Sequence, residues 1–306
     1  MNRRKFLFLT AGALGGAMRQ AESRPELAIT MDDPKPDAGA GMSGPEINRR
    51  ILDSLHKARL RAALFVAGMR IDNPAGPALL AEWDAAGHLI CNHTYSHRNY
   101  NSTAVTFDAF AADFEMNEPL IRGWKNFTKL LRYPLLKEGN TAEKRDRFRQ
   151  LLRERGYRVG HVTVDASDWA IDARLRARLE KDPSASTAPY RDYYIAHIRD
   201  RASFYRQLSR DVLGRDIRHT VLIHHSVLNA LYLGDLLQAL TDGGWKLIDA
   251  SRAFEDPVFQ REPKTIPAGE SLVWALAKET GRFESRLRYP GEDDVYENPK
   301  MDALGL

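Results

Sequence analysis

His93 and His97 stand four residues apart in Asn92-His93-Thr94-Tyr95-Ser96-His97, and the adjacent carboxylates Asp32-Asp33 precede them by about sixty residues. Histidines at i and i+4 project from one side of a helical turn. A carboxylate brought to them by the fold would complete three protein ligands and leave a fourth position open. That is the ligand count of a catalytic metal rather than a closed structural site.

Positioning these groups requires a scaffold that gathers distant segments. Seven short apolar or β-branched runs recur along the chain: Glu26–Met31, Arg61–Val66, His88–Asn92, Lys129–Tyr133, Tyr157–Val164, His219–His224 and Trp245–Ala250. Helical patterns separate them, and strands alternating with helices imply a parallel sheet, here an α/β chain closing into a (β/α)7 barrel. In such a barrel the side chains at the C-terminal ends of the strands converge on one rim. Asp32 and Asp33 follow the first run, His93 and His97 the third, Arg132 ends the fourth, Asp165 and Asp168 follow the fifth, and His224 ends the sixth.

Helix boundaries are legible in places. Phe107, Phe110, Phe114, Ile121 and Trp124 form one face behind Thr106 as N-cap, and Gly243-Gly244 ends a helix that starts near Leu228. Ile171–Arg218 is longer than one crossover needs and is broken by Pro183-Ser184-Ala185-Ser186, which predicts a helical insertion over one rim. Beyond Ala250 the prolines multiply, and a C-terminal wrap with one short helix, Glu270 to Thr280, is expected.

The chain has 306 residues, 43% hydrophobic and 28% charged, a globular composition. The net charge of +4 is mild, and the basic residues concentrate on one helix, Lys144 to Arg158, whose interspersed acids make it a solvated face. Nucleic acid is not indicated. Asn2-Arg3-Arg4-Lys5-Phe6-Leu7 opens a short apolar run through Met18, too short to span a bilayer, which reads as an export signal of twin-arginine character over residues 1–23. Residues 24–306 then form the barrel domain, with its core over 27–250, and membrane targeting is confined to the N-terminus. The lone Cys91 excludes an internal disulfide and reads as core. Gly41-Met42-Ser43-Gly44-Pro45 has Pro45 in place of the last glycine of a nucleophile elbow, and reads as a loop leading into a helix.

From Leu27 to Ala250 the chain resembles the polysaccharide deacetylases of the NodB-homology type, carbohydrate esterase family 4. The resemblance rests on five blocks in the family's order: Thr30-Met31-Asp32-Asp33, His93-Thr94-Tyr95-Ser96-His97, Arg132-Tyr133-Pro134, Asp165-Ala166-Ser167-Asp168-Trp169 and Leu222-Ile223-His224. It implies a distorted (β/α)7 barrel with Asp33, His93 and His97 as ligands of a divalent ion, Zn²⁺ first, with Co²⁺ and Ni²⁺ also compatible. It implies Asp32 as general base, kept ionised by Arg132, and His224 as general acid, aligned by Asp168. Trp169 and Leu222 would wall a pocket for the acetyl methyl, and a backbone amide near Tyr100 would share the oxyanion charge.

The N-terminal signal implies export to the periplasm, cell envelope or exterior, and the resemblance implies an enzyme removing N-acetyl groups from an acetylated polysaccharide or oligosaccharide. O-acetyl ester hydrolysis, amide hydrolysis on a small molecule, and a glycan-binding module without turnover are the competing readings. Two departures set this chain apart. Asp33-Pro34-Lys35-Pro36 replaces Gly-Pro after the first block, and Arg132-Tyr133-Pro134-Leu135-Leu136 replaces Arg-Pro-Pro with a following aromatic. His225 competes with His224, since adjacent strand residues face opposite ways. The family pattern selects His224. His56, His88, His161, His197 and His219 read as structural, and Asp165 either accepts a hydrogen bond behind the site or only ends its strand.

Overall fold

A computed structural model describes residues 24–291 and 294–306. The expected export signal lies outside the described residues.

The strands are β1 (Glu26–Asp32), β2 (Ala63–Val66), β3 (Leu89–Asn92), β4 (Phe127–Leu131), β5 (Lys137–Gly139), β6 (Arg158–Val159), β7 (Arg218–His224), β8 (Lys246–Leu247) and β9 (Ala268–Gly269). β1 lies at the centre and is buried along almost its whole length, as a strand covered on both faces must be. It pairs in parallel with β7 from Glu26↔Arg218 to Asp32↔His224, and its upper half pairs with β2. Parallel pairing continues from β2 through β3 to β4 and β6.

The ring closes through one stretch of chain. Gly160 N donates to Leu131 O on the β4 side, and Val164 then bridges in parallel to Val221 of β7. Residues 158–164 thus cross from one edge of the sheet to the other. β8 pairs only with Glu26 and Leu27, on the edge of β1 below β2, so the seventh run wedges into the base of the barrel. The result is the curled parallel barrel expected from the alternating pattern, distorted at β6 and β8.

Helix Asp168–Lys181 is followed after a break by helix Ala188–Leu213, at the proline-containing segment where an interruption is expected. The long helix does not lie over a rim. Near its start Tyr194 donates to Asn229, just beyond β7, and near its end Ser209 Oγ lies 3.4 Å from His219 Nε2 at the start of β7. It descends the barrel wall because Tyr194, Ile198, Ala202, Tyr205 and Leu208 form a continuous apolar stripe in the core.

The C-terminal wrap contains helix Leu272–Glu279, and β9 pairs antiparallel with β5, a two-stranded sheet that the sequence did not announce. Among the described residues no helix is long and apolar enough to cross a membrane.

Candidate active site

Asp32, the last residue of β1, sits in register with His224, the last of β7, so the ladder itself sets two ionisable groups side by side. Together with Asp33, His93, His97, Leu135, Leu136, Trp169 and Leu222 they line a cavity of about 230 Å³.

The segment carrying His93 and His97 is a loop, not the helical turn expected from the spacing. Thr94 and His97 have φ of 58° and 54°, which no continuing right-handed turn allows. Side chains from helix Phe107–Ile121 hold the loop in this shape. Asn92 Oδ1 accepts from Thr94 N at 2.8 Å, Asp113 receives the Ser96 backbone and hydroxyl, and Asn117 Nδ2 donates to Asn92 Oδ1 at 2.9 Å. The imidazoles still meet, with ring centroids 4.9 Å apart.

Asp33, Leu135 and Leu136 also take positive φ, between 55° and 59°. For non-glycine residues this costs about 1–2 kcal/mol each. Strain of this kind persists only where the surroundings impose it, and here it gathers around the cavity.

One ligand atom from each of Asp33, His93 and His97 lies within 4.8 Å of the others, so these residues could hold a metal ion. His93 Nδ1 lies 2.8 Å from the carbonyl of Arg132, which leaves Nε2 facing the cluster. Burial lowers both imidazoles to a pKa of about 4, so both are neutral lone-pair donors at neutral pH. Burial pushes Asp33 upward, but His97, His93 and Arg70 outweigh it and hold the carboxyl at about 2. With the imidazoles neutral, Arg70 is the cation facing it, through Nη2 at 3.0 Å and Nε at 2.9 Å. The donor set therefore fits a divalent ion.

Asp32 accepts from Arg132 Nη1 at 2.7 Å, and the guanidinium stacks 3.9 Å above the Phe65 ring. Arg132 does not depress this carboxyl below its ordinary range, contrary to expectation. Burial dominates over Arg132 and His224 and lifts it to about 6.

His224 Nδ1 lies 2.8 Å from Asp168 Oδ1, while the His224 backbone N donates to Asp168 Oδ2 at 2.8 Å. Asn229 Nδ2 bonds both the same carboxylate and the His224 carbonyl. The imidazole is thereby fixed with Nδ1 committed to Asp168. His225 points elsewhere, toward Asn48, as the strand alternation requires.

Trp169 and Leu222 reach the cavity as expected. Tyr100 does not: its ring is fully buried and stacks on Phe110, with its hydroxyl on the Lys144 carbonyl. The expectation was of a backbone amide near this residue; Tyr100 instead packs into the aromatic cluster against helix Phe107–Ile121. Asp165 stays outside the cavity and accepts from Gly291 N. Leu135, Leu136 and Arg70 went unread in the sequence. A Pro-Leu-Leu run and a lone arginine carry no motif, although the departure at 134–136 did mark an altered wall.

The sequence model of the polysaccharide deacetylase family matches residues 19–160, the stretch holding the first three blocks. Over these residues, a little under half of the chain, it is similar to that family. Among solved structures, the chitin deacetylase of the fungal pathogen Colletotrichum lindemuthianum is 20% identical with a TM-score of 0.51, over 76% of this chain and 88% of that one. A peptidoglycan deacetylase of Bacillus subtilis is 24% identical with a TM-score of 0.48, over 76% of this chain and 91% of that one. A mutant pseudoenzyme of carbohydrate esterase family 4 with restored activity is 16% identical with a TM-score of 0.50, over 75% and 67%. No curated protein matches the chain. At these identities the likeness to the chitin deacetylase is one of fold.

Proposed function

We propose that this protein is a polysaccharide deacetylase, an exported, metal-dependent hydrolase that removes N-acetyl groups from amino sugars of a cell-envelope or extracellular polysaccharide. One observation carries the reading: a three-ligand cluster, a separate carboxylate and a histidine backed by a buried carboxylate come together at one small cavity with apolar walls.

Asp33, His93 and His97 would hold the ion. When bound, it supplies Lewis-acid polarisation of the acyl carbonyl and brings the pKa of water from 15.7 to about 7. Asp32, with a pKa of about 6, is ionised at neutral pH and basic enough to take the proton of the attacking water. Arg132 fixes its orientation. Leu135, in the 3-10 helix Pro134–Leu136, lines the cavity, and its backbone N–H would serve as the oxyanion donor. His224 Nε2 delivers a proton to the departing nitrogen while Asp168 stabilises the imidazolium. Trp169, Leu222, Leu135 and Leu136 enclose the acyl methyl.

The acid pair favours an amide over an ester, because an amine leaves only once protonated. Export over residues 1–23 would deliver the enzyme to such polymers. The test is acetate release from N-acetylglucosamine oligomers by Zn²⁺-loaded protein. Asp32→Asn should lose about 10²–10⁴-fold in turnover while its metal content stays at the wild-type level. Retained turnover would remove Asp32 from the role of base, and no release by wild type would favour a glycan-binding module.

A further inference from the structure

Trp169 is held in the cavity wall by a segment that the chain adds after the barrel is complete. Its indole Nε1–H donates to the carbonyl of Gly291 at 3.1 Å. Gly291 is held from its other side too, its N–H donating to Asp165 Oδ2 at 2.5 Å. Asp165 is fully buried and opens the same block that ends in Trp169. A Cβ on Gly291 would stand 2.6 Å from Asp165 Oδ1 and 2.7 Å from Ala166 N, so only glycine lets the two backbones approach this closely.

A second tether holds the same segment. Glu297 is fully buried and accepts from the hydroxyls of Tyr193 and Tyr289. His197 Nδ1 lies 3.7 Å and Arg201 Nη2 3.8 Å from its carboxylate. His197 turns its other nitrogen to the Ser167 backbone N–H at 3.0 Å, beside Asp168 and Trp169. Tail, long helix and the 165–169 block form one connected polar unit.

We propose that Gly291 is a positioning residue of the active site: clamped between Asp165 and Trp169, it fixes the indole and so sets the size of acyl group the cavity accepts. This rests on the reading of the cavity as an acyl site. Helix Asp168–Lys181 fixes the Trp169 backbone but leaves its side-chain torsions open. Without the carbonyl of Gly291 the ring can take a second rotamer and open the wall.

The test compares wild type, Gly291→Ala, Trp169→Phe and the double variant, all Zn²⁺-loaded, on N-acetyl and N-propionyl glucosamine oligomers. Discrimination against one added methylene is worth roughly 10–200-fold in a closed apolar pocket, so each single variant should lose about tenfold of the acetyl preference. The double variant should lose no more than Trp169→Phe alone. In ¹H–¹⁵N spectra the Trp169 indole resonance, assigned by its absence in Trp169→Phe, should shift in Gly291→Ala.

An unshifted resonance, or an unchanged preference in a folded Gly291→Ala protein, overturns the proposal. Reduced thermal stability with the preference intact overturns it as well. If Gly291→Ala does not fold, Trp169→Phe decides, since it keeps a ring and loses only the donor and some area. If wild type releases neither acyl group, the deacetylase reading fails, while the indole resonance still judges the clamp.

Discussion

Asp32 and Asp33 are chain neighbours with opposite surroundings, and the contrast suits them to the two different roles proposed for them. Asp32 is buried and sits near 6, the range of a base that must cycle at neutral pH; Asp33 faces Arg70 and two imidazoles and sits near 2, the range of a permanent ligand. Across the ladder from Asp32, His224 has its Nδ1 on Asp168, so the proposed acid role falls to Nε2. His224→Gln should therefore cut amide hydrolysis by about 10²–10⁴-fold, and hydrolysis of an activated acetyl ester far less, because a good alcohol leaves without a proton. Equal losses in both assays would deny His224 the acid role. The residues proposed for this chemistry were marked in the sequence by five short blocks occurring in one order. Leu135 and Leu136 were not, since a positive φ imposed by packing leaves no mark in two leucines.

The elements matter through what they bring close. Helical spacing suggested a turn for His93 and His97, yet the pair is presented by a loop that Asn92, Asp113 and Asn117 hold from behind. Side-chain bonds to the backbone competed with helix and won. The closing stretch 158–164 shows the same dependence on contact rather than pattern. A Cβ on Gly160 would lie 2.5 Å from Phe65 Cε1, and the Gly160 carbonyl accepts from Arg132 Nε at 3.0 Å. Gly160→Ala should push the Phe65 ring against the guanidinium it supports. A loss of about 1–3 kcal/mol in urea unfolding is expected, with a matching fall in turnover as Arg132 tilts. A variant of wild-type stability would show that the ring has room to move.

At the scale of the whole molecule, the alternating strands and helices made the barrel legible from the sequence. Its closure and its tail depended on distant partners. No local signal pairs Val164 with Val221, β5 with β9, or Gly291 with Asp165, because each contact joins segments from 57 to more than a hundred residues apart. The same burial makes the fold sensitive to acid. Burial lowers His219, enclosed by Thr163, Ser209 and the Trp245 ring, from 6.5 to about 3. The unfolded chain takes up this proton below pH 6.5 and the folded chain does not, so stability is full above 6.5 and declines as the pH falls toward 3. His219→Gln should flatten the stability–pH slope between pH 4.5 and 6 by about 1.4 kcal/mol per unit; an unchanged slope would mean that His219 is already protonated in the fold.

Everything assigned to the cavity depends on Asp33, His93 and His97 acting as one donor set. The most direct measurement is divalent metal content by elemental analysis, in purified wild type and in His93→Ala, after incubation with Zn²⁺ and removal of excess. About one equivalent in wild type and almost none in the variant is the expected result. A wild-type protein that retains no metal, or a variant that retains as much as wild type, would contradict it.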